Sequence, residues 1–97
     1  MQQYIITAHD DATDPFSLER RMNIRSLHLQ GAAKLRASNN FIIGGALLDE
    51  QGHMTGSVMI VQFETEEELQ EWLRNEPYIT GKVWHRVEVK PFRVADV

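Results

Sequence analysis

A histidine and two arginines share the inner side of a long helix that the sequence predicts over Ser17–Ala37. At 100° per residue, Arg21 and Arg25 lie about 20° and 60° from His28, in the stripe that also carries Leu35. Imidazole exchanges a proton near neutral pH, and guanidinium groups bind carboxylates or stabilise an enolate or phenolate. These side chains therefore predict acid–base chemistry on a small anion.

Each of these side chains also has an ordinary structural interpretation. A single histidine such as His28 on the apolar face of a helix can be a hydrogen-bonded core residue with no chemical role. Arg21 and Arg25 can pack their stems at the edge of a helix–sheet interface and extend their charged ends to water. Spacing alone leaves both interpretations open.

The composition is that of one globular domain spanning residues 1–97, with 42% hydrophobic and 25% charged residues. The formal net charge of −4 argues against a general nucleic-acid binder, whose footprint is basic. No cysteine is present, which removes disulfides, thiolate metal sites and cysteine nucleophiles. The N-terminal segment lacks the features of a signal peptide, and no stretch approaches a membrane span. We therefore expect a cytoplasmic protein with no membrane partner.

The histidine content does not indicate a metal centre. His9 and Asp10 together resemble part of a metal site, but no other histidine has helical spacing to them. His53 falls in a predicted turn and His85 in a predicted strand. We predict neither a metal nor a cofactor.

The order of predicted elements is β-α-β-β-α-β. Strands are predicted over residues 4–9, 41–47, 57–63 and 83–89, and helices over 17–37 and from the capping box Thr65–Glu68 to about residue 75. This order is typical of a ferredoxin-like α+β subunit, a four-stranded antiparallel sheet with two helices on one face. Asp14 and Ser17 are rival caps for the first helix.

The last predicted strand alternates cleanly and follows a predicted loop. Val83, His85, Val87 and Val89 fall on one side of it, with Trp84 on the other. The second helix should stop before Pro77, because the residue before proline disfavours helical backbone, and a loop is predicted from there through residue 81.

The third strand is apolar on both faces. Met59 and Val61 point one way, whereas Val58 and Ile60 point the other. Two helices can cover only one face of a four-stranded sheet. A second copy of the chain is the simplest cover for the other face, and we predict a homodimer.

Several short segments, taken together in order and spacing, resemble the YciI-like (YCII-related) family. They are Ser17–Arg21, Arg25–Leu29, Gly56–Ser57, Asn75–Tyr78 and Val89–Phe92. The resemblance covers nearly the whole chain and implies a ferredoxin-like subunit of the dimeric α/β-barrel superfamily. It also implies an active site built on a histidine and an aspartate with a serine nearby, in a superfamily that acts on small aromatic or lactone-like molecules.

The resemblance can be carried over residue by residue. His28 matches the family histidine and Ser57 the serine, and Arg21, Arg25 and Asp10 also occupy favoured positions. The family usually has Asp-Pro-Tyr or Asp-Pro-Phe where this chain has Glu-Pro-Tyr, and serine follows the helical arginine where proline is common.

Glu76 therefore stands where the family has its aspartate, and it moves the carboxylate about 1.5 Å further from the backbone. The resemblance implies a catalytic pair of His28 and Glu76, with Arg21, Arg25 and Ser57 binding the substrate. The ordinary alternatives are that Glu76 is solvated surface and that Ser57 bonds only the backbone. Tyr78 and Trp84 are interpreted as core or dimer-interface aromatics, with cavity lining as the less favoured alternative.

Three hypotheses follow for function. The first is a small dimeric enzyme that uses a histidine–carboxylate pair for isomerisation, elimination or lyase-type chemistry on a small organic acid or aromatic compound. The second is a non-catalytic anion-binding or sensor module that uses the same pocket. The third is a structural domain whose exposed strand edges recruit another protein.

Overall fold

The computed structural model describes residues 1–97, which fold into four strands and three helices. In chain order these are β1 (Gln2–Asp10), α1 (Ser17–Ala37), β2 (Phe41–Leu48), β3 (Met54–Phe63), α2 (Glu66–Asn75), α3 (Pro77–Thr80) and β4 (Trp84–Phe92). The predicted ferredoxin-like order is confirmed, with the single turn of α3 added to it. None of the helices combines the length and the apolar character needed to cross a bilayer.

The sheet is antiparallel throughout and has the strand order β2-β3-β1-β4. The residues of its helix-covered face alternate with those of the opposite face, so every second residue of β1 is buried. The core joins this face to all three helices through Tyr4, Ile6, Ala8, Leu35, Met59, Val61, Phe63, Leu69, Tyr78, Val83 and Trp84.

A β-bulge makes the predicted alternation of the last strand wrong. Asp10 of β1 pairs with Trp84, whereas the preceding residue, His9, pairs with Arg86, so that His85 has no partner. The extra residue shifts the side-chain alternation by one position. Trp84 consequently lies on the helix-covered face, where it is buried, together with Val87.

The inner face of α1 is more polar than the helical wheel suggests. Its three buried residues, Arg21, His28 and Leu35, recur every seventh position. Leu27 and Leu29, which flank this row on the wheel, are exposed. The prediction that His28 lies on the inner face is confirmed, whereas the two leucines that flank it on the wheel lie outside the buried row.

Neither predicted cap closes the N-terminus of α1 with its side chain. The N-cap position is Phe16, and no side chain accepts a hydrogen bond there. Asp14 instead accepts a hydrogen bond from the Phe16 backbone N–H at 2.9 Å and pairs with Arg20 at 2.8 Å. These contacts order the turn that leads into the helix.

The break after α2 places Glu76 at a junction between two helices. Thr65 accepts a hydrogen bond from the Glu68 backbone N–H at 3.2 Å, as the capping box predicts for the start of α2. Glu76 is extended (φ −63°, ψ 127°), as expected for the residue before Pro77. Because proline is favoured at the first position of a helix, the chain then forms α3, and the predicted loop is wrong here.

The second face of the sheet carries no helix. Ile5 and Ile43 both lie directly opposite Ile60 in the pairing, so all three point to this face, as does Val58. Ile43 is exposed, and the other three are half-buried. A row of aliphatic side chains therefore crosses the centre of an uncovered face.

Candidate active site

A buried hydrogen bond joins His28 in the middle of α1 to Glu76 at the start of α3. The Nδ1 atom of His28 lies 2.6 Å from Oε1 of Glu76. Glu76 is only 3% exposed, which makes the interpretation as solvated surface wrong. The turn enforced by Pro77 directs the carboxylate inward, because the same Oε1 accepts the backbone N–H of Tyr78 at 2.9 Å as the N-cap of α3.

This contact specifies which ring nitrogen of His28 is free. An ionised carboxylate can only accept hydrogen bonds, so the proton between the two side chains resides on Nδ1. Nε2 then carries the lone pair when the ring is neutral, and it makes no hydrogen bond to the protein. A carboxylate in this position orients the imidazole and stabilises it when the second nitrogen takes a proton.

Two aromatic rings hold the imidazole of His28. The ring of Tyr78 stacks on it with centroids 4.0 Å apart and an interplanar angle of 13°. Trp84 meets it edge-on, with centroids 6.0 Å apart. Three contacts on different sides therefore restrict the orientation of the ring.

Arg21 is committed to protein partners. Its Nη1 lies 3.0 and 3.1 Å from the two carboxylate oxygens of Asp10, and its Nη2 donates to Ser57 Oγ at 2.6 Å. The residue is 2% exposed, so the interpretation in which its charged end extends to water is wrong. Burial raises the pKa of Asp10, and the guanidinium of Arg21 opposes that rise. Only Nε of Arg21 lacks a partner.

The hydroxyl of Ser57 is fixed by two donors. Besides Arg21, the indole N–H of Trp84 donates to Ser57 Oγ at 3.1 Å. The interpretation that Ser57 bonds only the backbone is therefore wrong. Because a hydroxyl oxygen has two lone pairs and both are used, its hydrogen is available only as a donor to a third group.

A cavity of about 100 Å³ lies between α1 and β2, next to these side chains. Small residues leave it open, namely Ala32 on α1 and Gly44 and Ala46 on β2. A Cβ atom at Gly44 would lie 3.0 Å from the Val58 carbonyl oxygen, a tight contact that a side chain could make only if this neighbour shifted by a few tenths of an ångström. The cavity is of the scale that holds a single ring.

The structure brings the predicted site residues together around this cavity. Arg21, Arg25, His28 and Ser57 line it, and Glu76 stands behind His28. Arg25 is half-buried, and its side chain makes no hydrogen bond or ion pair. The free positive charge at the cavity is therefore Arg25, whereas the charge of Arg21 is paired with a carboxylate.

Sequence reasoning missed the contribution of two aromatic residues and one carboxylate. Tyr78 lines the cavity, Trp84 orients Ser57, and Asp10 holds Arg21. The Glu-Pro pair before Tyr78 was an available signal, since an acidic N-cap followed by proline predicts a helix start. No local signal links Trp84 to Ser57, because a bulge determines its face.

The other three histidines surround a different cleft. His9, His53 and His85 line a space of about 580 Å³ at the end of the sheet, beside the loop from β1 to α1. No group of three or more histidine, aspartate or glutamate side chains is arranged there or elsewhere to hold a metal ion.

The fold and the site together define the class of protein: a ferredoxin-like α+β chain with a buried histidine–carboxylate pair beside a small cavity. The chain belongs to the YCII-related domain family, whose sequence pattern matches residues 2–93. It is 35% identical over 96 residues to a protein of Haemophilus influenzae and 32% identical over 96 residues to the protein YciI of Escherichia coli. Both alignments cover 93% of this chain and 95% of the relative.

Its fold is also similar to a solved structure. That structure is 5-chloro-2-hydroxyhydroquinone dehydrochlorinase (TftG) from Burkholderia phenoliruptrix AC1100, in complex with 2,5-dihydroxybenzoquinone. The TM-score is 0.81 at 23% sequence identity, over 96% of this chain and 95% of the other. At this level of identity the likeness establishes the shared fold.

Proposed function

We propose that this chain is a homodimeric enzyme in which His28 and Glu76 act as a general acid–base pair on a small organic acid or aromatic compound. The observation that carries the proposal is the buried 2.6 Å contact between His28 and Glu76, beside a cavity that His28 lines. Oriented in this way, Nε2 can abstract a proton next to a carbonyl or return one to a leaving group.

The cavity favours an oxygen-bearing anion of about one ring. Arg25 supplies an unpaired positive charge, and Ser57 supplies a hydroxyl that can only donate. No unpaired carboxylate lines the cavity. The named ligand of the structural relative, 2,5-dihydroxybenzoquinone, is a single ring with oxygen substituents, which agrees with this choice of ligand class.

The retained contact favours catalysis over simple binding. A glutamate in place of aspartate could have separated the carboxylate from the imidazole, but Oε1 of Glu76 lies 2.6 Å from Nδ1 of His28. Anion binding alone would need Arg25 and Ser57, but it would not need the hydrogen bond between Glu76 and Nδ1 of His28.

The homodimer rests on the uncovered face of the sheet. Ile5, Ile43, Val58 and Ile60 form an aliphatic row there that a second copy would bury by the same face. Cytoplasmic localisation stays a prediction.

Proton exchange tests the catalytic proposal directly. The wild-type chain is incubated in D₂O with 5-chloro-2-hydroxyhydroquinone and with a panel of unchlorinated cyclic acids, and NMR follows deuterium uptake and product. We expect exchange or turnover with at least one compound, and a loss of about 10²- to 10⁴-fold in His28→Gln. His53→Gln, which changes an exposed histidine, is the matched control and should retain full activity.

Two outcomes would contradict this proposal. A compound that binds the wild-type chain through Arg25 but shows neither exchange nor product would support the binding or sensor module instead. Turnover that His28→Gln leaves intact would exclude the imidazole as the acid–base group.

A further inference from the structure

Tyr78 presents a hydroxyl group with no partner in the protein. The residue is 1% exposed, and its backbone N–H is bound by Glu76, but its side-chain oxygen makes no hydrogen bond to the protein. The side-chain atoms that are both buried and unpartnered are Ser17 Oγ and Arg21 Nε, so the Tyr78 hydroxyl itself reaches accessible space. Tyr78 also lines the cavity that holds His28. A partner for this hydroxyl is therefore to be sought among occupants of the cavity.

Neighbouring side chains do not supply that partner. His28 contacts Tyr78 through its ring face, by stacking at 4.0 Å. The Arg21 guanidinium lies over the ring, with Cζ 4.6 Å from the centroid, and its Nη groups already bind Asp10 and Ser57. The ring of Tyr78 thus has a structural role that a phenylalanine could fill, whereas the hydroxyl has none in the protein alone.

The hydroxyl can both donate and accept a hydrogen bond, which Arg25 and Ser57 cannot. Arg25 can only donate, and Ser57 has both lone pairs occupied. Burial raises the pKa of Tyr78, opposed by the charges of Arg21 and Arg25, so the phenol is neutral at physiological pH. A neutral phenol can donate to an oxygen of a ligand and also accept from a hydroxyl.

We propose that the Tyr78 hydroxyl is a specificity-determining group that hydrogen-bonds a second oxygen substituent of a ring-sized ligand, while Arg25 and Ser57 bind the first. This rests on the proposed function in one respect, the assignment of a small oxygen-bearing ligand to the cavity. It does not depend on whether His28 transfers a proton. The ligand class is thereby narrowed to rings that carry two separate oxygen functions.

Matched probes measure the contribution of the hydroxyl. Dissociation constants are determined by calorimetry for benzoate and for 2-, 3- and 4-hydroxybenzoate, with the wild-type chain and with Tyr78→Phe. We expect at least one hydroxybenzoate to bind the wild-type chain about two- to tenfold more tightly than benzoate does, and to lose this advantage in Tyr78→Phe. Benzoate itself should bind both proteins equally. Tyr4→Phe, which alters the only other tyrosine, should preserve the wild-type ratio.

A ligand-free measurement completes the test. Because the hydroxyl has no partner in the protein, Tyr78→Phe should leave the melting temperature unchanged or raise it. A clear fall in the melting temperature would reveal a structural partner of the hydroxyl and overturn the inference. The same ratio of benzoate to hydroxybenzoate dissociation constants in the wild-type chain and in Tyr78→Phe would also overturn it. If none of the four probes binds the wild-type chain, the assignment of a ring-sized ligand to the cavity is wrong, and the inference is wrong as well. The tighter binding of a hydroxybenzoate can depend on Tyr78 even if the proton-exchange experiment shows no exchange and no product. That combination of results would uphold the inference and contradict only the enzyme proposal.

Discussion

Arg21 in α1 and Asp10 at the end of β1 form an ion pair that water barely reaches. The guanidinium Nη1 lies 3.0 and 3.1 Å from the two carboxylate oxygens, and the side chains are 2% and 5% exposed. The pair holds the first strand to the long helix and leaves Nη2 of Arg21 to orient Ser57. One of the two arginines on the inner side of α1 is thus part of the scaffold, whereas Arg25 faces the cavity unpaired.

Removing Arg21 should cost stability in a pH-dependent way. Arg21→Met leaves Asp10 buried without its cation, and we expect a loss of about 3 kcal/mol or more in the free energy of unfolding at pH 7. Burial already raises the pKa of Asp10, and losing the arginine removes the main opposing effect. Because the pKa of Asp10 is higher in the folded chain than in the unfolded chain, the protonated carboxyl group makes its full contribution to stability below about pH 3.8. That contribution is lost as the pH rises through the pKa of Asp10 in the folded chain.

Urea unfolding at pH 5 and pH 7 measures this effect. The loss in Arg21→Met should be smaller at pH 5, where Asp10 is closer to its neutral form. Arg25→Met is the matched control four residues along the same helix, and we expect it to change stability by less than about 1 kcal/mol at either pH. Equal losses in the two variants would show that Asp10 and Arg21 are not paired in solution.

His28 should be found as a single tautomer when neutral. Because Glu76 accepts from Nδ1, we expect the proton on Nδ1 and none on Nε2. Two-bond ¹H–¹⁵N NMR spectra of the neutral ring distinguish the nitrogens. Glu76→Gln keeps an acceptor oxygen and should keep this tautomer, whereas Glu76→Ala should lose the preference and about 1 kcal/mol of stability with the cap of α3. A predominant Nε2–H form in the wild-type chain would contradict the pairing.

Filling the cavity should abolish binding without unfolding the chain. Ala32→Leu extends a side chain into a space of about 100 Å³ that small residues leave open. We expect the hydroxybenzoate that binds the wild-type chain most tightly to bind this variant at least about tenfold more weakly, at a melting temperature within a few degrees of the wild type. Ala33→Leu, one residue along on the exposed side of α1, is the control and should bind normally. Undiminished binding to Ala32→Leu would place the ligand elsewhere.

The uncovered sheet face predicts the oligomeric state. Sedimentation equilibrium should give the wild-type chain twice its 11.2 kDa mass, and Ile60→Glu should give a folded monomer, because a charge in an apolar interface is costly. Leu27→Glu changes an exposed leucine on α1 and should remain dimeric. A wild-type mass of one chain would exclude the dimer, and a dimeric Ile60→Glu would assign the interface to another surface.

Two features could be predicted from the sequence because they depend on neighbouring residues. They are the order of the strands and helices, and the position of Arg21 and His28 on the inner face of α1. Seven-residue spacing puts Arg21 and His28 on one side of a helix whatever packs against it. Likewise, Thr65 caps α2 and the residue before Pro77 must leave the helix, both through local backbone sterics. The resemblance to the family singled out Glu76 and Ser57 as candidate site residues.

Tertiary structure alone decided which of these groups meet. His28 and Glu76 are 48 residues apart, Arg21 and Ser57 are 36 apart, and their contacts arise only when α1 packs on the sheet and α3. A single extra residue in β4 turns Trp84 inward, where it reaches Ser57. Long-range contacts depend on strand register and helix packing, and a shift of one residue reverses the face of a side chain. The sequence by itself therefore specified the components of the site, and only the packed fold determined their pairing.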